Sequence, residues 1–188
     1  MSEHLSYTIN IAGVERQLRL FPVSDTVSIA ALILFGDCQL TTAAAQALLD
    51  KAPEYDYLMT AEAKGIPLVH EMARLAGDDT YLVARKGTKV YMPDPISVEV
   101  RSITTQRVQH LYLGSDDAAL IRGKKVLLVD DVISTGESLR ALEELAKAAG
   151  AEVCGRMAIL AEGDAAQRKD LIFLEPLPLF KADGSILE

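Results

Sequence analysis

The chain has 188 residues, enough for one α/β domain with a sizeable core. A net charge of −8 argues against nucleic acid as a partner, although a local basic cluster can still govern one cleft. The longest apolar run, residues 27–35, is too short to span a membrane, and Met1, Ser2, Glu3 and His4 lack the pattern of a signal peptide. The two cysteines, Cys38 and Cys154, lie far apart among apolar neighbours, which predicts buried free thiols and a reducing, cytoplasmic setting. No Cys/His spacing suits a metal.

Residues 7–11 and 14–21 flank Ala12 and Gly13 and alternate in part, which predicts a hairpin. Thr41 or Thr42 is expected to cap a helix over 43–51 that Pro53 ends. A short strand at 57–60 precedes a helix over 66–76, where apolar residues recur at helical spacing. A strand at 81–84 runs into residues 85–95, where Gly87, Pro93 and Pro95 among charges predict a loop. Residues 96–100 and 108–113 read as paired strands. The continuous apolar run at 126–129 predicts a parallel strand buried on both faces. Its helix, 137–149, closes at Gly150, and strands at 153–160 and 171–174 finish the sheet. Strands alternating with helices predict a central parallel sheet flanked by helices, with right-handed crossovers. The chain is expected to be one domain: a hairpin-and-helix hood over 1–52, a core over 53–175 and a tail over 176–188.

Three segments carry chemistry. Val126, Leu127, Leu128 and Val129 run into Asp130 and Asp131, followed by Val132, Ile133, Ser134, Thr135, Gly136, Glu137 and Ser138. A loop that opens a helix presents unpaired N–H groups suited to a phosphate. Adjacent carboxylates at a strand end offer oxygens to hydroxyl groups or to Mg²⁺. Phosphate, hydroxyls and metal together describe a phosphorylated sugar. A Walker loop is excluded because no Gly-Lys-Ser/Thr follows, and a dinucleotide fingerprint because Gly-x-Gly-x-x-Gly is missing. The second segment, Glu62, Ala63, Lys64 and Gly65, sits in another strand-to-helix turn, where Gly65 permits close backbone approach and Lys64 offers a cation. Such a turn can hold a pyrophosphate. The third puts Arg85, Lys86 and Lys89 at one strand end, where three cations are either solvated or facing an anion.

The run from Val126 to Ser138 resembles the signature of the type I phosphoribosyltransferases: four apolar residues, two acids, a short variable run, then Thr-Gly-Gly-Thr. Glu137 stands in place of the second glycine and Ser138 in place of the last threonine. The carboxylate of Glu137 suits a phosphate site only if it points away. The resemblance implies the type I phosphoribosyltransferase fold and binding of 5-phosphoribosyl 1-pyrophosphate (PRPP). Asp130 and Asp131 would take the ribose hydroxyls and the metal, and Ile133 to Ser138 the 5-phosphate. Glu62 to Gly65 resembles the Glu-Ala/Ser-Arg-Gly segment of adenine phosphoribosyltransferases, with Lys64 replacing the arginine. The apolar-Arg-Lys pair at Arg85 and Lys86 resembles adenine and xanthine enzymes, in which it leads to a mobile loop. Ser102, Thr104 and Gln106 resemble the Ser-x-Thr-x-Gln of xanthine enzymes, and the Glu-Tyr-Gly usual in adenine enzymes is missing.

What this implies is purine salvage: pyrophosphate on C1 of PRPP displaced by a purine nitrogen, with Mg²⁺ as cofactor and a homodimer as assembly. Lys89, with Arg85 and Lys86, would meet the negative charge of the leaving group. Hypoxanthine-guanine enzymes place an aspartate where this chain has Ser134, which leaves the base proton without an assigned group. Leu20, Phe21, Pro22, Val23, Phe35 and Phe180 are the candidates for covering the base. Adenine is narrowly favoured. The alternatives are a xanthine or hypoxanthine enzyme, a PRPP or nucleotide sensor without catalysis, and another phosphate-binding α/β protein.

Overall fold

Two polar-apolar alternating segments, β1 (Ser6–Ile11) and β2 (Val14–Pro22), form the expected hairpin, and Ala12 and Gly13 turn it at positive φ. The computed structural model describes residues 5–101 and 108–187. Part of the apolar run at 27–35 becomes β3 (Val27–Ala31), which was not expected as a strand and pairs antiparallel with β2. Helix α1 (Cys38–Leu49) starts earlier than Thr41 or Thr42 would have it. Asp37 is the cap, its carboxylate accepting the Leu40 N–H at 3.1 Å. Both threonines lie inside the helix; the Thr41 hydroxyl donates to the Asp37 carbonyl and that of Thr42 to Glu71. Cys38, expected to be buried, is exposed, because the apolar run has already ended at the Gly36–Asp37 turn; Cys154 is half-buried and both thiols are free.

The core follows as β4 (Tyr57–Ala61), α2 (Gly65–Ala76), β5 (Leu82–Ala84), the antiparallel pair β6 (Ile96–Arg101) and β7 (Val108–Leu113), α3 (Ser115–Ile121), β8 (Lys125–Ile133), α4 (Glu137–Ala148) and β9 (Glu152–Glu162). A 3-10 turn (Gly163–Gln167), β10 (Ile172–Leu177) and β11 (Phe180–Lys181) complete it. Strand β8 runs past residue 129 and includes both aspartates; α3 was not expected. Ser102, Thr104 and Gln106 lie outside the described residues.

The parallel sheet has the order β10-β9-β8-β4-β5. Leu127 and Val129 of β8 point to the face covered by α1 and α2, and Val126 and Leu128 to the face covered by α4. All four are fully buried, which is why the strand reads as an unbroken apolar run. Burying each such side chain stabilises the fold by about 1.5–3 kcal/mol relative to exposure. The hood sheet has the order β1-β2-β3-β11, so the chain's end returns to its beginning. Phe180 is buried against Tyr7, ring centroids 5.1 Å apart. It is therefore core of the hood sheet rather than a cover for a base. No helix among the described residues is long and apolar enough to cross a membrane.

Candidate active site

The chain enters the sheet at β4, then crosses to β5 on one side and to β8 on the other. Ligands of open α/β sheets bind outside the carboxyl ends of the strands where the order reverses in this way. Here those ends carry Thr60 and the Glu62–Gly65 turn (β4), Arg85 (β5), and Asp130 and Asp131 (β8).

Close packing of the two turns depends on Gly65. A Cβ there would overlap the Thr60 hydroxyl and come within 3.1 Å of Asp130 Oδ1. Lys64, just before α2, reaches into the gap. Its ammonium lies 2.7 Å from Asp131 Oδ2 and donates to the Leu32 carbonyl, past the end of β3, at 2.9 Å. The contact with Asp131 is an ion pair without hydrogen-bond alignment. Asp131 Oδ2 and Thr60 Oγ1 are the two fully buried side-chain oxygens that lack a hydrogen-bond partner among the described residues. Buried polar atoms are normally paired. Both lie beside the Glu62–Gly65 turn, Asp131 Oδ2 next to the Lys64 ammonium and Thr60 Oγ1 against Gly65.

The aspartates differ in setting. Asp131 is buried beside Lys64. Asp130 is half-buried and its Oδ1 accepts the Asp131 N–H at 2.9 Å. Burial, then the like charge of Asp131, raises the Asp130 carboxyl well above the usual carboxylate range, against the pull of Lys64.

Arg85, Lys86 and Lys89 do not stand free. Glu62 Oε1 accepts from Arg85 Nε at 3.0 Å and lies 3.7 Å from Lys89 Nζ, and Oε2 accepts the Lys86 N–H at 2.9 Å. The Lys86 N–H, with Arg85 and Lys89, holds the Glu62 carboxyl below its ordinary range. The turn expected to face solvent or pyrophosphate thus pairs its carboxylate with two of the three cations, Arg85 and Lys89, and with the backbone of the third.

The loop after β8 is more open. Ile133 ends the strand with its side chain buried, so the loop proper begins at Ser134. Ser134, Thr135 and Ser138 are exposed, and Gly136 takes a left-handed φ of 78° as the cap of α4. No side chain among the described residues caps that helix end, and the Thr135 hydroxyl accepts from the Glu137 N–H only at 3.4 Å. Such an end, with its dipole, suits an anion. Glu137 lines a cleft of about 330 Å³ on the flank of α4, shared with Thr135, Gly136, Arg140, Glu143 and Arg168.

Two residues escaped the sequence reading. Arg168 lies against Gly136 and pairs with Asp170 at 2.8 Å. Glu162 ends β9 next to β8, where burial raises its carboxyl against the field of Lys64. A charged residue two positions past the strand expected at 153–160 was the available signal for Glu162. Among the hood candidates, Phe21 and Phe35 are exposed, and Arg19 sits over the Phe21 ring at 5.8 Å. Phe21, Leu32 and Ile33 line a cleft of about 330 Å³ with Arg16 and Asp37. Another cleft, about 430 Å³, lies outside β5 and has Arg85 in its lining but neither aspartate. The aspartates and the open helix end, rather than cleft size, define the site.

The profile of the phosphoribosyl transferase domain matches residues 38–174. A hypoxanthine/guanine phosphoribosyltransferase of Methanothrix soehngenii is 34% identical over 114 residues, 61% of this chain and 56% of the relative. An adenine phosphoribosyltransferase of Corynebacterium jeikeium is 37% identical over 102 residues, 54% of this chain and 46% of the relative. The chain thus spans about half the length of these curated relatives. Among solved structures, the adenine phosphoribosyltransferase of Thermoanaerobacter pseudethanolicus superposes with a TM-score of 0.70 at 18% identity, covering 85% of this chain and 95% of that one. That of Saccharomyces cerevisiae, solved with adenine and an imino-altritol bisphosphate, gives 0.66 at 19% identity over 84% and 93%. At such identities the likeness shows the shared fold.

Proposed function

Because this chain belongs to the phosphoribosyl transferase domain family, we propose that it is a purine salvage phosphoribosyltransferase. It transfers the 5-phosphoribosyl group of PRPP to a purine base, giving the nucleoside monophosphate and pyrophosphate. The observation that carries this reading is the adjacent pair Asp130 and Asp131 in β8, with Asp131 Oδ2 buried and met only by the unaligned ion pair to Lys64, followed along the chain by a helix end at Gly136 that no side chain among the described residues caps. A sugar with vicinal hydroxyls and a terminal phosphate supplies what both lack.

In this reading Asp130 and Asp131 accept the ribose hydroxyls. The N–H groups from Ser134 to Ser138 hold the 5-phosphate. The side chains of Arg85 and Lys89 leave Glu62 and, with the Lys86 ammonium, turn to the pyrophosphate, whose negative charge grows as its bond to C1 breaks. Ala63 and Gly65 bring backbone close to the same group. The hood, with Phe21 and Phe35, excludes water from the developing cation.

Magnesium fits as an ion carried by PRPP. Asp130 and Asp131 are two adjacent carboxylates, and no group of three or more ligating side chains exists among the described residues. Mg²⁺ is commonly held by one or two carboxylates together with substrate phosphates. Bound there, it supplies positive charge to the ribose hydroxyls and the leaving group.

Adenine is the favoured base, supported by the Glu62–Gly65 turn and the Arg85–Lys86 pair. The similarity to the hypoxanthine/guanine enzyme of Methanothrix favours a 6-oxopurine as the second reading. A homodimer in the cytoplasm completes the proposal, and light scattering checks the assembly. The test of the activity is pyrophosphate release from PRPP and Mg²⁺ with each purine and pyrimidine in turn. One strong purine substrate is expected, separated from its 6-substituted competitors by up to roughly 10⁴-fold, because a mismatched base leaves buried donors or acceptors unpaired. Release with no base at all overturns the reading. A preference for hypoxanthine or xanthine replaces adenine.

A further inference from the structure

The ammonium of Lys64 joins two parts of the molecule that the proposed chemistry uses separately. On one side is the Asp131 carboxylate, 2.7 Å away; on the other is the Leu32 carbonyl, 2.9 Å away, at the hood's inner edge. Lys64 keeps 36% of its side chain exposed and Asp131 only 6%. A buried carboxylate without a counter-charge is costly, and Lys64 supplies that charge to Asp131. Ribose hydroxyls donating to that carboxylate would compete with the ammonium for the same oxygens and weaken its hold.

We propose that Lys64 is a positioning residue, a tether that holds the hood edge to Asp131 and releases it when a ribose engages that carboxylate. This inference rests on the sugar-phosphate reading of the site. The tethered edge is the one with a face to offer a base: Leu32 and Leu34 are buried at 2% and 1%, while Ile33 and Phe35 alternate with them at 57% and 60% exposure. An edge fixed by its Leu32 carbonyl keeps Ile33 and Phe35 in solvent. Once released, it can reseat them over a planar ring. Glu162 gives the freed ammonium a second partner, since it is half-buried at the end of β9 and already interacts electrostatically with Lys64.

Hydrogen exchange read by mass spectrometry tests the tether, with ribose 5-phosphate as the probe and calorimetry to establish its binding. In the wild-type chain, saturating ribose 5-phosphate is expected to speed exchange across residues 27–35 by about tenfold, the loss of one hydrogen bond from a charged donor. Exchange across 139–148 in α4 should stay unchanged. In Lys64→Met the same hood segment should exchange fast without ligand and respond no further; Lys64→Gln serves if the methionine variant does not fold. Ribose 5-phosphate that binds with no change at 27–35 overturns the tether and leaves the sugar site intact. No detectable binding to the wild-type chain overturns the sugar reading and the tether with it.

Discussion

Two strand-to-helix turns stand side by side at the same edge of the sheet, and they are built in opposite ways. The turn after β8 is open: Ser134, Thr135 and Ser138 are exposed, Gly136 is left-handed, and no side chain among the described residues caps α4. The turn after β4 is closed on itself: Lys64 pairs with Asp131, and Glu62 gathers Arg85, Lys89 and the Lys86 N–H. The first is the turn that the proposal gives to the 5-phosphate. The second is a set of charges already paired with one another, Lys64 with Asp131 and Glu62 with Arg85 and Lys89. The difference teaches that charge in a sequence motif marks a site without saying whether the site is free.

The largest expected effect comes from the glycine where the turns touch. Gly65→Ala places a Cβ against the buried Thr60 hydroxyl and the Asp130 carboxylate, so strand or helix must shift. Overpacking of this kind costs typically about 1–3 kcal/mol, and the displaced aspartates should lower turnover at least 10²-fold, as small misplacements do. Thermal unfolding and steady-state kinetics check both. Gly136→Ala sharpens the contrast. It strains a positive φ by roughly 1–2 kcal/mol, but the atom in the way is the movable end of Arg168. Its loss should appear as weaker binding of ribose 5-phosphate, with little change in fold.

Lys89→Ala is next. If this cation meets the leaving group, kcat falls on the order of 10²-fold while base affinity holds. Native turnover would return Lys89 to the role of partner to Glu62 alone.

The smallest effect concerns Glu62. Its carboxyl is held below the ordinary value, so its clamp is fully present above the unfolded pKa of about 4.3 and is lost as pH falls through the lower folded value. Glu62→Gln should therefore differ from the wild type in stability at neutral pH and converge with it in acid. A difference that grew below pH 4 would contradict the assigned sign.

Much of this was legible in the sequence because it is local. The β8 strand announced itself by being apolar on both faces, and Gly136 and Thr135 by their place before a helix. Strand β3 was missed because the apolar run at 27–35 contains Ser28, turned inward, and continues past the strand into Leu32 and Leu34. Helix α3 has only seven residues, too few for a period to show. Phe180 read as a possible ring cover because nothing in a tail tells that it will pair with β3 and bury against Tyr7. The pairing of Lys64 with Asp131, and of Glu62 with three neighbours across the strand gap, depends on the order β8-β4-β5, which no local pattern encodes.

The central claim is that Asp130 and Asp131 seat the sugar of PRPP. It is tested most directly by titrating PRPP with Mg²⁺ into the wild-type chain and into Asp131→Asn by calorimetry, with circular dichroism to show that both are folded. The substitution keeps volume and removes charge, so PRPP affinity should fall about 10- to 100-fold, the worth of hydrogen bonds to a charged acceptor. Equal affinity in two folded proteins would contradict the account.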